Sequence, residues 1–387
     1  MSSPSRSNGS KQNSLIFSFN PGISRTKHVK SNRSSTYVLY NKEKKCSIMS
    51  TNQKHITFWN GEKMPVVGLG TWQSSREEIE TAVNAALEAG YRHIDAAYNY
   101  LNEDVIGEVL QRWIEAGKVK REELFIVTKL PMIGNRPEDV EKFLKKSLVA
   151  LRLDYIDLYL IHAPVGLIGK HDTDVFPHDD QGFAMIDMKT NLVNLWKSME
   201  NQVDAGLVKS IGISNFNEEQ ISRIINNARI KPANVQVELH VQFQQKSLRE
   251  FCQKHELTIC AYAPLGSPGR NDFYSKLGLK PPVAIPDLFH HPVVVKIAEK
   301  HKKSSTQILL RYLIELGVTV IPKSVNPERI HANFQVFDFS LSVVDMAQLG
   351  QLDQGEAGFT FDFSTFFKGM DKHPENPYPN RVKGIVL

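Results

Sequence analysis

Hydrophobic and polar positions fall into a regular pattern only from about residue 56. The stretch ITFWNGEKMPVVGLGTW reads as a short hairpin turning at Asn60-Gly61, the strongest two-residue hairpin signal, and then a strand. Beyond it, apolar runs of five to eight residues alternate with segments of helical period. The runs predict strands near 66–71, 91–96, 124–129, 156–162, 208–214, 234–239, 258–263 and 318–323. Helical segments lie between them, among them 76–89, 138–150, 190–205, 217–227, 246–256 and 293–302.

Continuous apolar strands, each followed by a helix, imply a parallel sheet covered on its outer face. Eight such units fit a closed (β/α)8 TIM barrel better than an open sheet. The predicted fold is therefore α/β: one barrel with an N-terminal β-hairpin and a long C-terminal loop. The polar insertions at 165–189 and 266–291 and the tail after 354 follow the fourth, seventh and eighth strands. All three then lie on the C-terminal face, where barrels place their active sites.

Composition changes this picture at one end only. About 41% of the 387 residues are hydrophobic and 23% charged, ordinary for a globular chain. The formal net charge of +5 belongs to the head. Residues 1–50 hold nine Lys/Arg against a single acid, Glu43, so the remainder is net acidic and a nucleic-acid partner loses its main support. The Ser-rich head cannot build a core, which predicts a disordered basic extension over 1–50 and a barrel domain over 51–387. Its acid-poor composition also suits a mitochondrial transit peptide over 1–48, against a plain extension ahead of Met49 and a cytoplasmic protein. No apolar run approaches the ~20 residues that cross a bilayer, so no membrane partner is expected. Cys46, Cys252 and Cys260 show neither metal nor disulfide spacing, and no metal site is expected.

The chemistry sits where the apolar runs stop. GYRHIDAAYNY ends its strand in Asp95 with Tyr100 just beyond; LFIVTKL ends in Lys129, and IDLYLIHAP in His162. VKSIGISNF ends in Ser214 and Asn215, NVQVELH carries Gln236 and Glu238, TICAYAP carries Tyr262, and TVIPKS ends in Lys323 and Ser324. In a parallel barrel these ends converge on one mouth. Any one of them is ordinary; together they form a reaction centre. An ammonium beside a phenol favours the phenolate and lowers its pKa. Asp95 can keep Lys129 charged in the interior, and a neutral His162 can aim a carbonyl, leaving Tyr100 as general acid. No G-x-G-x-x-G follows a strand, since GLGTWQ has Gln73 at the third glycine position, so no Rossmann site is expected. In IPKSVNPERI, Asn326 as N-cap and Pro327 at the first helical position open a helix whose N–H groups attract phosphate, with Lys323 and Arg329 adding cations. By itself that segment is equally a solvated helix start.

MPVVGLGTW, GYRHIDAAYNY, LFIVTKL, DLYLIHAP, SIGISNFN, AYAPLGSPGR and IPKSVNPERI, in this order and spacing, resemble the aldo-keto reductases over about residues 55–345, most closely the aldose/aldehyde reductase group. The resemblance implies a barrel that binds NADPH/NADP+ and reduces aldehydes or ketones. It makes Asp95, Tyr100, Lys129 and His162 the catalytic tetrad. It assigns Ser214, Asn215 and Gln236 to the nicotinamide carboxamide and Tyr262 to stacking on the ring. Leu265 and Ser267 fall in the loop over the pyrophosphate, and Lys323, Ser324 and Arg329 at the 2′-phosphate. Asn333 lies near the adenine, and Gly70, Thr71, Trp72 and Val325 join the cofactor set. Trp72, His162 and Phe176 face the substrate, with Phe361, Phe363, Phe366 and Phe367 at the rim. A monomer acting on a small carbonyl compound is implied; a cofactor-sensing barrel, such as a channel subunit, is the alternative. Three departures stand out. Ala163 replaces a tryptophan that walls the pocket in aldose reductases, and Gly269 and Gln73 replace an Asp and a Lys that latch the loop over bound cofactor. The last two imply faster NADP+ release than in latched relatives.

Overall fold

The structure is a computed structural model that describes residues 54–276, 286–361 and 368–378. The predicted extension over 1–50, and Phe363, Phe366 and Phe367, lie outside the described residues.

The hairpin forms from β1 (His55–Thr57) and β2 (Lys63–Pro65), antiparallel with Ile56 opposite Met64. Its turn is wider than the predicted two-residue turn at Asn60-Gly61. The amide of Gly61 bonds the carbonyl of Phe58, the amide of Phe58 bonds the carbonyl of Glu62, and Gly61 takes the left-handed conformation. Long-range contacts explain the wider loop. The Trp59 indole donates to the Pro232 carbonyl at 3.1 Å, and Asn60 Nδ2 donates to Ser210 Oγ at 3.0 Å.

Eight parallel strands follow in sequence order: β3 (Leu69–Gly70), β4 (His93–Asp95), β5 (Phe125–Leu130), β6 (Ile156–Ile161), β7 (Val208–Ser214), β8 (Asn234–Glu238), β9 (Thr258–Tyr262) and β10 (Val318–Val320). Parallel bridges Val67–Val320 and Gly70–Lys323 join the first to the last and close the barrel. The strands β5, β6 and β8 are buried throughout, which is why they read as continuous apolar runs.

The connecting helices are α1 (Arg76–Ala89), α2 (Glu103–Glu115), α3 (Val140–Leu151), α4 (Leu192–Asp204), α5 (Glu218–Asn227) and α6 (Lys246–Lys254). They continue with α7 (Arg270–Lys276), α8 (Pro292–His301), α9 (Ser305–Glu315), α10 (Pro327–Phe334) and α11 (Val343–Gly350). Their starts follow local chemistry. In α1, Ser75 and Glu78 form a capping box, Gly90 ends the helix in the left-handed region, and Ile79, Ala82, Val83, Ala86 and Leu87 make the buried stripe. The predicted start of α10 is present too: Asn326 Oδ1 accepts from the Arg329 amide at 2.9 Å, with Pro327 at the first position. The sequence reading did not mark α2 and α9, and α2 begins only three residues after Tyr100. No helix among the described residues is long and apolar enough to cross a membrane.

Candidate active site

The strand ends meet at the mouth as the topology requires. Asp95 closes β4, Lys129 lies one residue from the end of β5, and His162 directly follows β6. Tyr100 stands on a single 3₁₀ turn, Tyr98–Tyr100, beyond Asp95. Lys129 is fully buried; its Nζ donates to Asp95 Oδ1 at 2.6 Å and the Ala96 carbonyl at 2.8 Å, and reaches the Tyr100 hydroxyl at 3.5 Å. The Tyr100 and His162 rings meet edge to face, 5.7 Å apart. The four residues therefore form one contiguous group.

The electrostatics differ from the sequence expectation at one point. Burial works against the charge on Lys129, but Asp95 and Tyr100 outweigh it and hold the ammonium proton more tightly than in a free lysine. For His162, burial and then Lys129 both push the pKa well below 6.5, so the imidazole is neutral at physiological pH. The phenol of Tyr100 was expected to be acidified. Instead burial raises its pKa above 10, and Lys129 only partly opposes this because Asp95 pulls the other way. Desolvation wins in the resting protein, and Tyr100 stays protonated.

The expected nicotinamide residues lie beside this group. Gln236, on β8, donates from Nε2 to the second oxygen of Asp95 at 2.7 Å, fixing the carboxylate from both sides. The Thr71 hydroxyl donates to the Asp95 carbonyl at 2.8 Å. Asn215 adopts the left-handed conformation, which turns its amide back so that Nδ2 donates to the His162 carbonyl at 2.9 Å. The Tyr262 hydroxyl donates to Asn215 Oδ1 at 2.7 Å. A carboxamide needs one donor and an acceptor for its NH₂ group; the Ser214 hydroxyl can give the first and the side-chain oxygens of Asn215 and Gln236 the second. The residues present thus fit a nicotinamide.

At the far end Lys323 and Arg329 are exposed beside the N-terminus of α10, while Ser324 and Asn333 are buried and Val325 is half-buried. This donor set suits a phosphate dianion. Gly70 packs so closely on the Ile321 carbonyl that a Cβ would sit 2.6 Å from it, which gives that residue a structural reason to be glycine. Leu265 and Ser267 lie in the loop after β9, with Ser267 in the left-handed region.

The rim joins residues that sequence reasoning had not connected. Arg270, fully buried, donates to the Thr360 carbonyl and packs 5.4 Å from the Phe361 ring. The Glu238 carboxylate accepts from the backbone amides of Thr360 at 3.0 Å and Phe361 at 2.8 Å. Phe361 packs edge to face on Trp72 at 5.4 Å and on Tyr262 at 5.6 Å. The SPGR motif and the run of phenylalanines held each half of this contact, but nothing local in the sequence joined them. Phe176 is 44% exposed on the 165–189 insertion. Ala163 is buried in a cluster with Met132, Val165, Leu167, Ala184 and Met370, so residues of the insertion and tail pack on that side.

Residues 66–354 match the family model described as Aldo/keto reductase family. The chain is 44% identical over 307 residues to "Aldo-keto reductase family 1 member A1" of Gallus gallus, covering 79% of this chain and 90% of that one. It is 41% identical over 311 residues to "Aldo-keto reductase family 1 member D1" of Mus musculus, covering 79% and 93%. Among solved structures, the aldose reductase from Schistosoma japonicum superposes with a TM-score of 0.76 at 43% identity, over 85% of this chain and all of that one.

Proposed function

The chain belongs to the aldo/keto reductase family, and from that premise we propose that it reduces aldehydes and ketones to alcohols with NADPH, using Tyr100 as general acid. The observation that carries this reading is the buried Lys129 ammonium, 2.6 Å from Asp95 and 3.5 Å from the Tyr100 hydroxyl. When bound, NADPH supplies the hydride.

The side chains do the rest. As the Nε2–H tautomer, neutral His162 donates a hydrogen bond to the substrate carbonyl oxygen and sets it against the Tyr100 hydroxyl. Reduction at the carbonyl carbon would leave the π electron pair on oxygen, and the Tyr100 proton would transfer to that oxygen. The phenolate left behind lies beside Lys129. Lys129 therefore acts mainly after the proton has moved, stabilising a charge absent from the resting site, and such differential stabilisation is what lowers a barrier. The raised pKa of Tyr100 is compatible with this role, because the donor must start protonated.

Lys323, Ser324 and Arg329 would hold a 2′-phosphate, which favours NADPH over NADH. Ser214, Asn215 and Gln236 would hold the carboxamide, with Tyr262 against the ring. Gly70, Thr71, Trp72, Leu265, Ser267, Val325 and Asn333 complete the cofactor set, and Trp72, His162 and Phe176 face the substrate. The reading includes a cytoplasmic monomer. An NADPH-oxidation screen across sugars, lipid aldehydes and steroid-like ketones tests it: turnover with at least one class is expected, and tight NADPH binding without any turnover would leave a cofactor-sensing barrel instead.

A further inference from the structure

One buried acid has no part in the mechanism above. Glu103 is the first residue of α2 and is 5% exposed. One carboxyl oxygen accepts from the Thr128 hydroxyl on β5, the other from the Ser147 hydroxyl on α3 at 2.8 Å. Thr128 precedes Lys129 in the same strand, and Glu103 follows Tyr100 by three residues. The same carboxyl thus ties the segment that carries the proton donor to the strand that carries its ammonium, from behind the barrel wall. One turn further along α2, Gly107 seals the seam: a Cβ there would lie 2.3 Å from the Ala150 carbonyl of α3, so the two helices touch backbone to backbone.

We propose that Glu103 is a positioning residue whose carboxyl fixes the Tyr100 hydroxyl relative to Lys129, and whose protonation state tunes turnover near neutral pH. This deepens the reductase reading and rests on it. The groups facing the carboxyl are few. From β5 comes Lys129, from its own helix Asp104, from β6 the Tyr159 phenol, and from the 3₁₀ turn Tyr98. From α3 comes the Ser147 hydroxyl, while Lys142 and Lys146 of that helix pair with Asp172. Tyr159 is fully buried and its hydroxyl has no hydrogen-bond partner among the described residues. Burial outweighs the two hydroxyls and Lys129 and raises the Glu103 pKa to about 7. The ionised carboxylate accepts from both hydroxyls; the neutral acid accepts from one and must donate to the other, so titration reverses one of the two ties. His162, Lys129 and Tyr100 are silent in this range, because His162 titrates well below 6.5 while Lys129 and Tyr100 titrate above their ordinary values.

Glu103→Gln locks the neutral pattern, since its amide accepts through one atom and donates through the other. The experiment is kcat for aldehyde reduction from pH 6 to pH 8 in the full-length wild type and in E103Q. Wild type should change by about three- to tenfold, the worth of one hydrogen bond, while E103Q stays flat with unchanged NADPH affinity. Thermal melting adds a readout that does not depend on turnover. A carboxyl whose folded pKa exceeds its unfolded value contributes stability below about pH 4.5 that is lost as pH rises through about 7. E103Q should therefore gain in melting temperature over wild type between pH 5 and pH 8. Superimposable kcat profiles overturn the positioning role even if the melting gap appears. A constant melting gap overturns the ionisation. Wild type without any carbonyl turnover, but with the melting gap present, faults the reductase reading instead.

Discussion

At the floor of the barrel mouth Asp95, Lys129 and Gln236 come from three strands whose register the backbone ladder fixes, with Asp95 opposite Val127 and Lys129 opposite Leu160. At the rim the contacts are made across long sequence separations. Glu238 grips Thr360 and Phe361 from 122 and 123 residues away, and Arg270 reaches Thr360 across 90. The floor is held by main chain and closed by charges; the rim is held by a few side chains gripping a tail. Chemistry needs the first kind of support, because a shift of an ångström there costs rate steeply. Cofactor and substrate exchange need the second kind, because something must open.

The largest expected effect tests the floor. Tyr100→Phe removes the transferable proton and, with the hydroxyl, the 3.5 Å contact to Lys129, while keeping the ring. We expect kcat to fall by about 10²–10⁴-fold, the usual contribution of a general acid, with NADPH affinity unchanged in a fluorescence titration. Retention of near-wild-type turnover would exclude Tyr100 as the donor and return the site to the sensing alternative.

The same contrast separates what the sequence made legible from what it did not. Asp95, Lys129 and His162 interrupt apolar strands, and a parallel barrel brings strand ends together whatever the loops do, so their convergence followed from periodicity alone. Asn326-Pro327 predicted the start of α10 because capping is local chemistry. Three features of the site were not legible. Gln236 was assigned to the cofactor by resemblance, and its bond to Asp95 depends on the barrel interior rather than on any motif. The tie between Arg270 and Thr360 joins two loops whose spacing carries no signal. The balance at Tyr100 was misjudged because the sequence shows which charge is near but not how much water is lost, and here desolvation dominates. The Asn60-Gly61 turn widened for a similar reason: contacts from Trp59 and Asn60 to the barrel bottom overrode local preference.

Asp95→Asn is the second test of the floor, read as stability. It leaves Lys129 buried without its carboxylate, and breaking such a pair costs about 3–5 kcal/mol. The pH dependence has a definite sign. In wild type the Lys129 pKa is raised, so its contribution is present below about 10.5 and lost only as pH climbs through the folded value. In the variant burial is opposed only by Tyr100 and the Ala96 carbonyl and depresses the Lys129 pKa, so the unfolded chain binds the extra proton and stability rises with pH. Chemical denaturation should show the deficit of D95N shrinking between about pH 7 and pH 10; a deficit constant with pH would mean that Lys129 keeps its charge without Asp95.

At the rim the effects should be smaller and kinetic. Arg270→Met keeps the aliphatic packing on Phe361 but removes the donor to Thr360. Losing a hydrogen bond from a charged group costs about 1.5–3 kcal/mol, enough to speed NADP+ dissociation by roughly tenfold in stopped flow. Melting should shift by only a few degrees, since the Glu238 carboxylate keeps its bonds from the Thr360 and Phe361 amides. A large fall in melting temperature with unchanged release would make the rim part of the rigid scaffold, and the contrast between the two regions would fail.

The smallest effect sharpens that contrast by rebuilding the latch the sequence lacks. Gly269 is exposed, and a Cβ there meets nothing within 4 Å, so Gly269→Asp is free of clashes. Gln73 already occupies the left-handed region at φ 60°, and its buried amide nitrogen has no hydrogen-bond partner among the described residues, so Gln73→Lys adds no new backbone strain and takes no bond from that nitrogen. A surface ion pair contributes about 0.2–1 kcal/mol, which corresponds to at most about a fivefold slowing of NADP+ release at low salt. Because exposed charges are screened, the slowing should fade as ionic strength rises, whereas the Arg270 contact, buried under Phe361, should keep its effect. Combining the latch with Arg270→Met tells the two devices apart: if the ion pair restores slow release at low salt only, the loop has two independent ties. If it restores nothing, the grip of Arg270 on the tail is what closes the loop.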